Sequence, residues 1–142
     1  MPELKCYDLF ISHAWKYGED YDRLIELLDN APLFKYRNYS APKDNPLVNL
    51  DGTPVTNDTE IEEAIKRKIN PVNCVLVISG LYYNNRKWMQ FELDYAGKMN
   101  KPIVAIKPWG NTRMPSEVED VANVVVNWNT DSIVSAIRNY SL

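Results

Sequence analysis

Two apolar patterns alternate along this chain. Short apolar runs indicate buried β-strands, and apolar residues spaced three and four apart indicate amphipathic helices. The predicted strands lie at residues 7–12, 34–39, 72–79, 103–106 and 124–126. The predicted helices lie at about 20–30, 59–69, 88–99, 116–122 and 130–140. We expect Thr59 to begin the second helix as part of a capping box, and Thr130 or Asp131 to cap the fifth. Regular alternation of strand and helix is typical of a parallel sheet covered on both faces.

The second predicted strand differs from the other four. Residues 34–39 alternate between apolar and polar side chains, which fits a half-exposed strand at the edge of a sheet. An edge position for this strand favours the flavodoxin-like order 2-1-3-4-5. We therefore predict an α/β fold of three layers with a five-stranded parallel sheet, and a single domain over residues 1–142. Ligands of such folds bind beyond the carboxyl ends of strands one and three, where residues 12–15 and 79–83 follow the strands.

One acidic residue interrupts the apolar stripe of the third predicted helix. At 100° per residue the stripe contains Trp88, Phe91, Tyr95, Ala96 and Met99. Glu92 falls inside it, four residues after Trp88 and three before Tyr95. Because desolvating a carboxylate costs several kcal/mol, such an acid needs either a structural partner or a function. The spacing leaves both explanations open, but the helix begins directly behind the predicted ligand crevice, and this position favours a function.

Composition and charge exclude several other classes of function. The net charge is −3 and no basic run is present, which argues against a nucleic-acid partner. No apolar stretch approaches the roughly 18 to 20 residues of a membrane span, and no signal-peptide pattern is present, so we expect a cytoplasmic protein without membrane contact. Two cysteines and one histidine argue against a disulfide framework and against a metal site.

The common ligand motifs of this fold class are also missing from the sequence. A dinucleotide-binding fold needs G-x-G-x-x-G after strand one, but the first glycine of the chain is Gly18. Flavodoxins need a hydroxyl- and glycine-rich loop there, and phospho-receiver domains need an acidic pair. Residues 12–16 supply neither.

Three segments resemble those of TIR domains, in particular the bacterial TIR-like proteins of Thoeris anti-phage defence. Residues 7–13, YDLFISH, resemble the first TIR box, an apolar strand of the form YDxFIS. Residues 77–79, followed by Trp88-x-x-x-Glu92-Leu93, resemble the segment in which a serine-ended strand precedes WxxxEL. Residues 125–137 resemble the C-terminal end of the TIR-like subgroup.

This resemblance implies a specific reaction. Catalytic TIR domains cleave the nicotinamide–ribose bond of NAD⁺, and the glutamate of WxxxE, here Glu92, is their essential residue. NAD⁺ is then the substrate, and no separate cofactor is implied. The likeness to Thoeris proteins implies cyclisation to a cyclic ADP-ribose isomer, which a separate effector reads as a signal in anti-phage defence. It also implies self-association into a homo-oligomer on activation.

Seven residues around Glu92 are candidates for substrate binding. We expect Phe10, Trp15 and Tyr83 to stack on nicotinamide or adenine, and Ser12 and Ser79 to form hydrogen bonds with ribose or phosphate. His13 is expected to form a wall of the pocket, and Trp88 to support the start of the helix. For each aromatic residue, simple packing is the alternative.

Two other classes of function stay open. The irregular segment 41–58 lies where TIR domains carry a loop for assembly, so a non-catalytic adaptor acting by homotypic association is one alternative. A nucleoside-processing enzyme of a related α/β fold is the other.

Overall fold

Five parallel strands form one sheet in the computed structural model, which describes residues 5–12, 18–40, 49–78, 86–107 and 116–142. The strands are β1 (Cys6–Ser12), β2 (Lys35–Asn38), β3 (Cys74–Ile78), β4 (Ile103–Lys107) and β5 (Val124–Asn127). Their order is β2-β1-β3-β4-β5, which confirms the predicted flavodoxin-like arrangement. The short strand β2 lies at an edge and is mostly exposed, as its alternating pattern indicated.

Five helices alternate with the strands in the described residues: four connect successive strands and the fifth follows β5. They are α1 (Gly18–Asn30), α2 (Asp58–Ile69), α3 (Arg86–Lys98), α4 (Ser116–Glu119) and α5 (Thr130–Tyr140). Within the described parts of the chain, none of the helices has both the length and the apolar character that crossing a bilayer requires.

The sheet separates two hydrophobic layers. Side chains alternate between the two faces of the sheet along a strand. Phe10 and the strand residues on its face pack against α2, α3 and α4, while Leu9 and Ile11 face α1 and α5 on the other side. Strands β3 and β4 are buried on both faces, which explains their continuous apolar sequence. Ser12 has the parity of Phe10, and it therefore ends β1 on the α3 side of the sheet.

The buried face of α3 differs from the predicted one. The deeply buried residues are Met89, Glu92, Leu93 and Ala96, which recur at helical spacing. Of the apolar residues among them, only Ala96 belongs to the stripe predicted from sequence. Met99 follows the helix and is 43% exposed, and the three aromatic rings are half-buried at the side of the core. The true stripe is turned by about a quarter of a circle from the prediction. Glu92 lies at the edge of this buried face, next to Ala96 and toward the half-buried aromatic rings.

Two helix caps were also predicted wrongly. The N-cap of α2 is Asn57, whose side-chain oxygen accepts a hydrogen bond from the backbone N–H of Glu60. The Glu60 carboxylate in turn accepts from the backbone N–H and hydroxyl of Thr56. The N-cap of α5 is Asn129, which accepts from the backbone N–H of Ser132. Both helices therefore begin with an asparagine ahead of the threonines that the sequence suggested.

Candidate active site

Glu92 forms a buried hydrogen-bonded pair with Ser12. The Ser12 hydroxyl donates to Glu92 Oε1 over 3.0 Å. Ser12 is fully buried and Glu92 is 7% exposed. Apart from Ser40, they are the only buried polar side chains among the described residues. A carboxyl and a hydroxyl that are removed from solvent together are costly to bury, so this pair is the main polar feature of the core.

Two elements bring the pair together from distant parts of the sequence. Ser12 is the last residue of β1, and its register partner in β3 is Val77. Glu92 lies on the buried face of α3, the helix that follows β3 in the chain. Because β1 and β3 are neighbours at the point where strand order reverses, the pair lies at the carboxyl end of the sheet beside the topological switch point. This is where ligands of doubly wound α/β folds bind.

Burial changes the acidity of Glu92. Desolvation raises the pKa of its carboxyl from an ordinary value of 4.5 to about 8, and the hydrogen bond from Ser12 opposes that rise. The side chains around it come from the apolar layer that Phe10, Val77, Met89 and Leu93 help to form. A carboxyl in such surroundings is held mostly in its neutral form at pH 7, and a nearby positive charge is needed to ionise it.

A second buried serine supports the end of β1. Ser40 is 1% exposed, and its hydroxyl oxygen accepts a hydrogen bond of 2.7 Å from the backbone N–H of Ile11. The backbone N–H of Ser40 donates to the Asn38 side chain over 2.9 Å. Strand β2 ends at Asn38, so it offers Ile11 no backbone carbonyl. The Ser40 hydroxyl accepts the hydrogen bond from the Ile11 N–H instead, directly before Ser12 in the chain.

Phe10 and Trp88 are the two described aromatic candidates for substrate binding. Phe10 is 2% exposed and belongs to the core layer between the sheet and α2 and α3, so the packing alternative accounts for its position. Trp88 is half-buried near the start of α3, where its ring meets the edge of Phe91 at a centroid distance of 6.1 Å. The Lys87 ammonium lies 4.8 Å from the centre of the Trp88 ring. These contacts fit the expected role of Trp88 in supporting the helix start.

The other four candidates, His13, Trp15, Ser79 and Tyr83, lie outside the described residues. Their proposed contacts with substrate stay predictions. In the described part of the chain, no three His, Cys, Asp or Glu side chains come close enough together to hold a metal ion.

Two features of the site did not emerge from the sequence. One is Ser40, since a single serine after an edge strand carries no pattern that marks it as buried. The other is the direct contact between Ser12 and Glu92, which are 80 residues apart. The available signal was the two-residue spacing of Phe10 and Ser12 along β1. It places both side chains on the same face of the sheet, which is the face that α3 covers.

Comparison with known proteins gives three findings. Residues 10–113 match the family described as "Thoeris protein ThsB, TIR-like domain". The chain is 23% identical over 128 residues to a protein of Cytobacillus dafuensis named "Putative cyclic ADP-D-ribose synthase TIR2". That alignment covers 89% of this chain and 32% of the relative, so the chain spans about a third of the relative's length.

Among solved structures, the chain is similar to the CMP N-glycosidase BcmB of Clostridium botulinum, with a TM-score of 0.52 and 13% identity. The match covers 94% of this chain and 98% of that one. At this level of identity the likeness concerns the fold alone.

Proposed function

This chain belongs to the TIR-like domain family of the Thoeris protein ThsB, and from that premise we propose that it is an enzyme that cleaves the nicotinamide–ribose bond of NAD⁺. We further propose that it closes the product into a cyclic ADP-ribose isomer. The Cytobacillus dafuensis relative is named "Putative cyclic ADP-D-ribose synthase TIR2", and that name supports this second step. In a Thoeris setting the cyclic nucleotide acts as a diffusible signal to a separate effector in anti-phage defence.

The observation that carries the proposal is the placement of Glu92. Its carboxyl lies in an apolar layer, at the end of the sheet where such folds bind ligands, with one hydroxyl as its described partner. A buried acid without a cationic partner destabilises the protein, and a purely structural role would be served better by an apolar residue. Acids with strongly shifted pKa values in clefts are candidates for catalysis.

The chemistry of NAD⁺ needs one carboxylate. The nicotinamide ring nitrogen carries a positive charge, so when its bond to ribose C1′ breaks, the electron pair returns to nitrogen and neutral nicotinamide leaves without a proton. Positive charge then develops on C1′ and the ribose ring oxygen. An ionised Glu92 facing that ring stabilises the charge, and the low dielectric of the core strengthens the attraction. No second carboxyl group is required as a general acid.

The acceptor atom decides the product. If an oxygen of water bonds to C1′ and gives up a proton, the product is ADP-ribose. If an oxygen or nitrogen of the same molecule bonds to C1′ and one proton is released, the product is a cyclic isomer. Mass alone separates the two, because hydrolysis adds one water molecule and cyclisation adds none.

The decisive experiment compares the wild-type protein with Glu92→Gln, which keeps the size of the side chain and removes its charge. Each protein is incubated with NAD⁺ over a range of protein concentrations, since activation by self-association is part of the proposal. Free nicotinamide is quantified by chromatography and the nucleotide product by mass spectrometry. We expect a roughly 100- to 1,000-fold loss of turnover in Glu92→Gln. Glu26→Gln, an exposed acid on α1, is the matched control and should keep full activity.

Two results would contradict the proposal. If concentrated wild-type protein releases no more nicotinamide than Glu92→Gln, while both self-associate equally, the adaptor alternative is favoured. If nicotinamide riboside or CMP is cleaved and NAD⁺ is not, the chain is a nucleoside- or nucleotide-processing enzyme of the kind its structural neighbour is named for.

A further inference from the structure

The hydrogen bond from Ser12 occupies one of the two oxygens of the Glu92 carboxyl. Ser12 donates to Oε1, and this is the hydrogen bond that the described residues make to the carboxyl. Among the described residues no hydrogen bond to Oε2 accompanies it, and Glu92 as a whole is 7% exposed. The two oxygens therefore face different surroundings.

We propose that Ser12 is a positioning residue for the cleavage reaction: its hydroxyl holds Oε1 of Glu92, so that Oε2 is the oxygen presented to the developing ribosyl cation. This inference rests on the proposed function, since it assigns a role within the same site. It differs from a direct contact between Ser12 and substrate. A serine hydroxyl has one proton to donate, and a hydroxyl that donates to Glu92 cannot donate at the same time to a ribose or a phosphate.

Ser12 can hold the carboxyl because its own position is fixed. It is paired in register with Val77 in the interior of the sheet. The preceding residue, Ile11, is tied to the edge strand through the Ser40 hydroxyl. Positioning by a strand end restrains the carboxyl more tightly than positioning by a loop, and a displacement of about 1 Å is enough to cost a large part of a catalytic rate.

Ser12 is also the group that favours the ionised form of Glu92. A hydroxyl that donates to a carboxylate stabilises the negative charge. The elements packed around Glu92, which are β1, β3, β4 and α2, contribute apolar side chains to its layer. The described ion pairs of α2 and α3, Lys87 with Asp58 and Lys66 with Glu63, are formed at the surface. Ionised side chains in the described residues therefore give Glu92 no compensating charge, and the Ser12 hydrogen bond is what partly offsets its desolvation.

The experiment measures kcat/KM for NAD⁺ between pH 5.5 and 9.5 in the wild type and in Ser12→Ala. Loss of the hydrogen bond makes Glu92 harder to ionise, so the rising limb of the profile should move upward by about one to two pH units. At pH 7 this shift corresponds to a loss of roughly 10-fold or more in kcat/KM. At pH 9.5 the difference should narrow to about 4-fold or less, because Glu92 is then almost fully ionised in the wild type and partly ionised in Ser12→Ala.

Cys74→Ala is the matched control, since it truncates a fully buried side chain of β3 in the hydrophobic layer on the opposite face of the sheet from Glu92. We expect it to lower the free energy of unfolding and to leave the midpoint of the pH profile unchanged. Ser12→Thr keeps the hydroxyl and should keep the wild-type midpoint. A loss in Ser12→Ala that is equal at every pH, or a midpoint shift of the same size in Cys74→Ala, overturns the proposal.

A second measurement separates this proposal from the proposed function. The Glu92 side-chain carbon is labelled with carbon-13, assigned by its disappearance in Glu92→Gln, and titrated by NMR in the wild type and Ser12→Ala. If the wild type cleaves no NAD⁺, the proposed function fails. A higher titration midpoint in Ser12→Ala still supports the hold of Ser12 on the carboxyl, and an unchanged midpoint overturns it.

Discussion

The Glu92 carboxyl is balanced between two protonation states. Burial raises its pKa to about 8, so the neutral form predominates at pH 7. Stabilising a ribosyl cation requires the ionised form. The positive nicotinamide ring of NAD⁺ is itself able to lower the pKa of a carboxyl close by. The free protein is thus spared a buried charge, and under the proposed function the charge becomes favourable only when NAD⁺ is bound.

The same acid makes the free energy of unfolding depend on pH. The folded pKa of about 8 is above the ordinary value of 4.5, so folding favours the protonated form. The resulting stabilisation is fully present below about pH 4.5 and is lost as the pH rises through 8. Relative to Glu92→Gln, the wild type should lose about 1.4 kcal/mol per pH unit inside this window. Urea denaturation at pH 5.5 and 7.5 measures the difference, which should be about 3 kcal/mol.

The control for this measurement is Glu26→Gln, whose side chain is exposed on α1. Its free energy of unfolding should follow that of the wild type at both pH values. If Glu92→Gln also follows the wild type, Glu92 is well solvated and the buried placement is wrong.

The sequence pattern marked Glu92 as an acid on a buried helix face, but it did not indicate that Ser12 is its hydrogen-bond partner. An acid inside an apolar helical stripe is visible in the order of residues, because the cost of burying it is local. The contact with Ser12 depends on how β1 and α3 meet in space, and that is a property of packing. Ser40 shows the same limit, since its role follows from where β2 ends.

For helix α3 the sequence predicted the helix correctly but assigned the wrong face to the sheet. The sequence marks its aromatic residues as the core stripe, yet the residues against the sheet are Met89, Leu93 and Ala96. The helix has a second apolar neighbour in α2. The Tyr95 hydroxyl donates to the side chain of Asn70 at the end of α2, and its ring stacks on Phe91. A helix packed on two sides has two apolar stripes, and hydrophobicity alone does not tell which one meets the sheet.

Two truncations test the orientation of α3. Leu93→Ala removes a fully buried side chain and should lower the free energy of unfolding by about 2 to 5 kcal/mol. Met99→Ala affects a residue of the predicted stripe that is 43% exposed, and it should change stability by about 0.5 kcal/mol or less. Urea denaturation at one fixed pH below 6 compares the two with the wild type. Equal losses in the two variants would restore the orientation predicted from sequence.

Element boundaries were less predictable than element type. All five strands and five helices lie where the apolar pattern indicated, because burial on a sheet imposes that pattern. The N-caps of α2 and α5 are the residues at which the backbone changes from an extended to a helical conformation. Asn57 and Asn129 satisfy the first free N–H groups there, one or two residues before the threonines chosen from sequence.

At the scale of the whole molecule, topology and charge make different contributions to the site. The strand order follows from the exposed pattern of β2, and it brings the end of β1 beside the strand that precedes α3. The net charge of −3 gives no general attraction for an anionic dinucleotide. Under the proposed function, recognition of NAD⁺ is then local, and the coupling between the nicotinamide cation and Glu92 is its most distinctive part.

This coupling predicts that binding of the oxidised dinucleotide releases a proton. Carbocyclic NAD⁺ keeps the nicotinamide cation but lacks the ribose ring oxygen, so it should bind without being cleaved. If the cation lowers the pKa of Glu92 by 1 to 3 units, binding at pH 7 should release roughly 0.4 to 0.9 of a proton per molecule. Calorimetry in two buffers of different ionisation enthalpy measures this number. Because Glu92 is buried, added salt should change it little.

The ligand itself supplies the control for this prediction. NADH has the same phosphates, riboses and adenine, but its dihydronicotinamide ring is neutral, so its binding should release little or no proton. Glu92→Gln should bind both ligands without proton release, because the titrating group is gone. Affinity of the wild type for carbocyclic NAD⁺ should rise between pH 6 and 8 and level off above the pKa of about 8. Anionic phosphates raise the pKa of a nearby carboxyl and would cause proton uptake. Equal proton release with NADH would therefore mean that the nicotinamide charge is not what lowers the pKa of the titrating group, and Glu92 would then lie away from the bond that is cleaved.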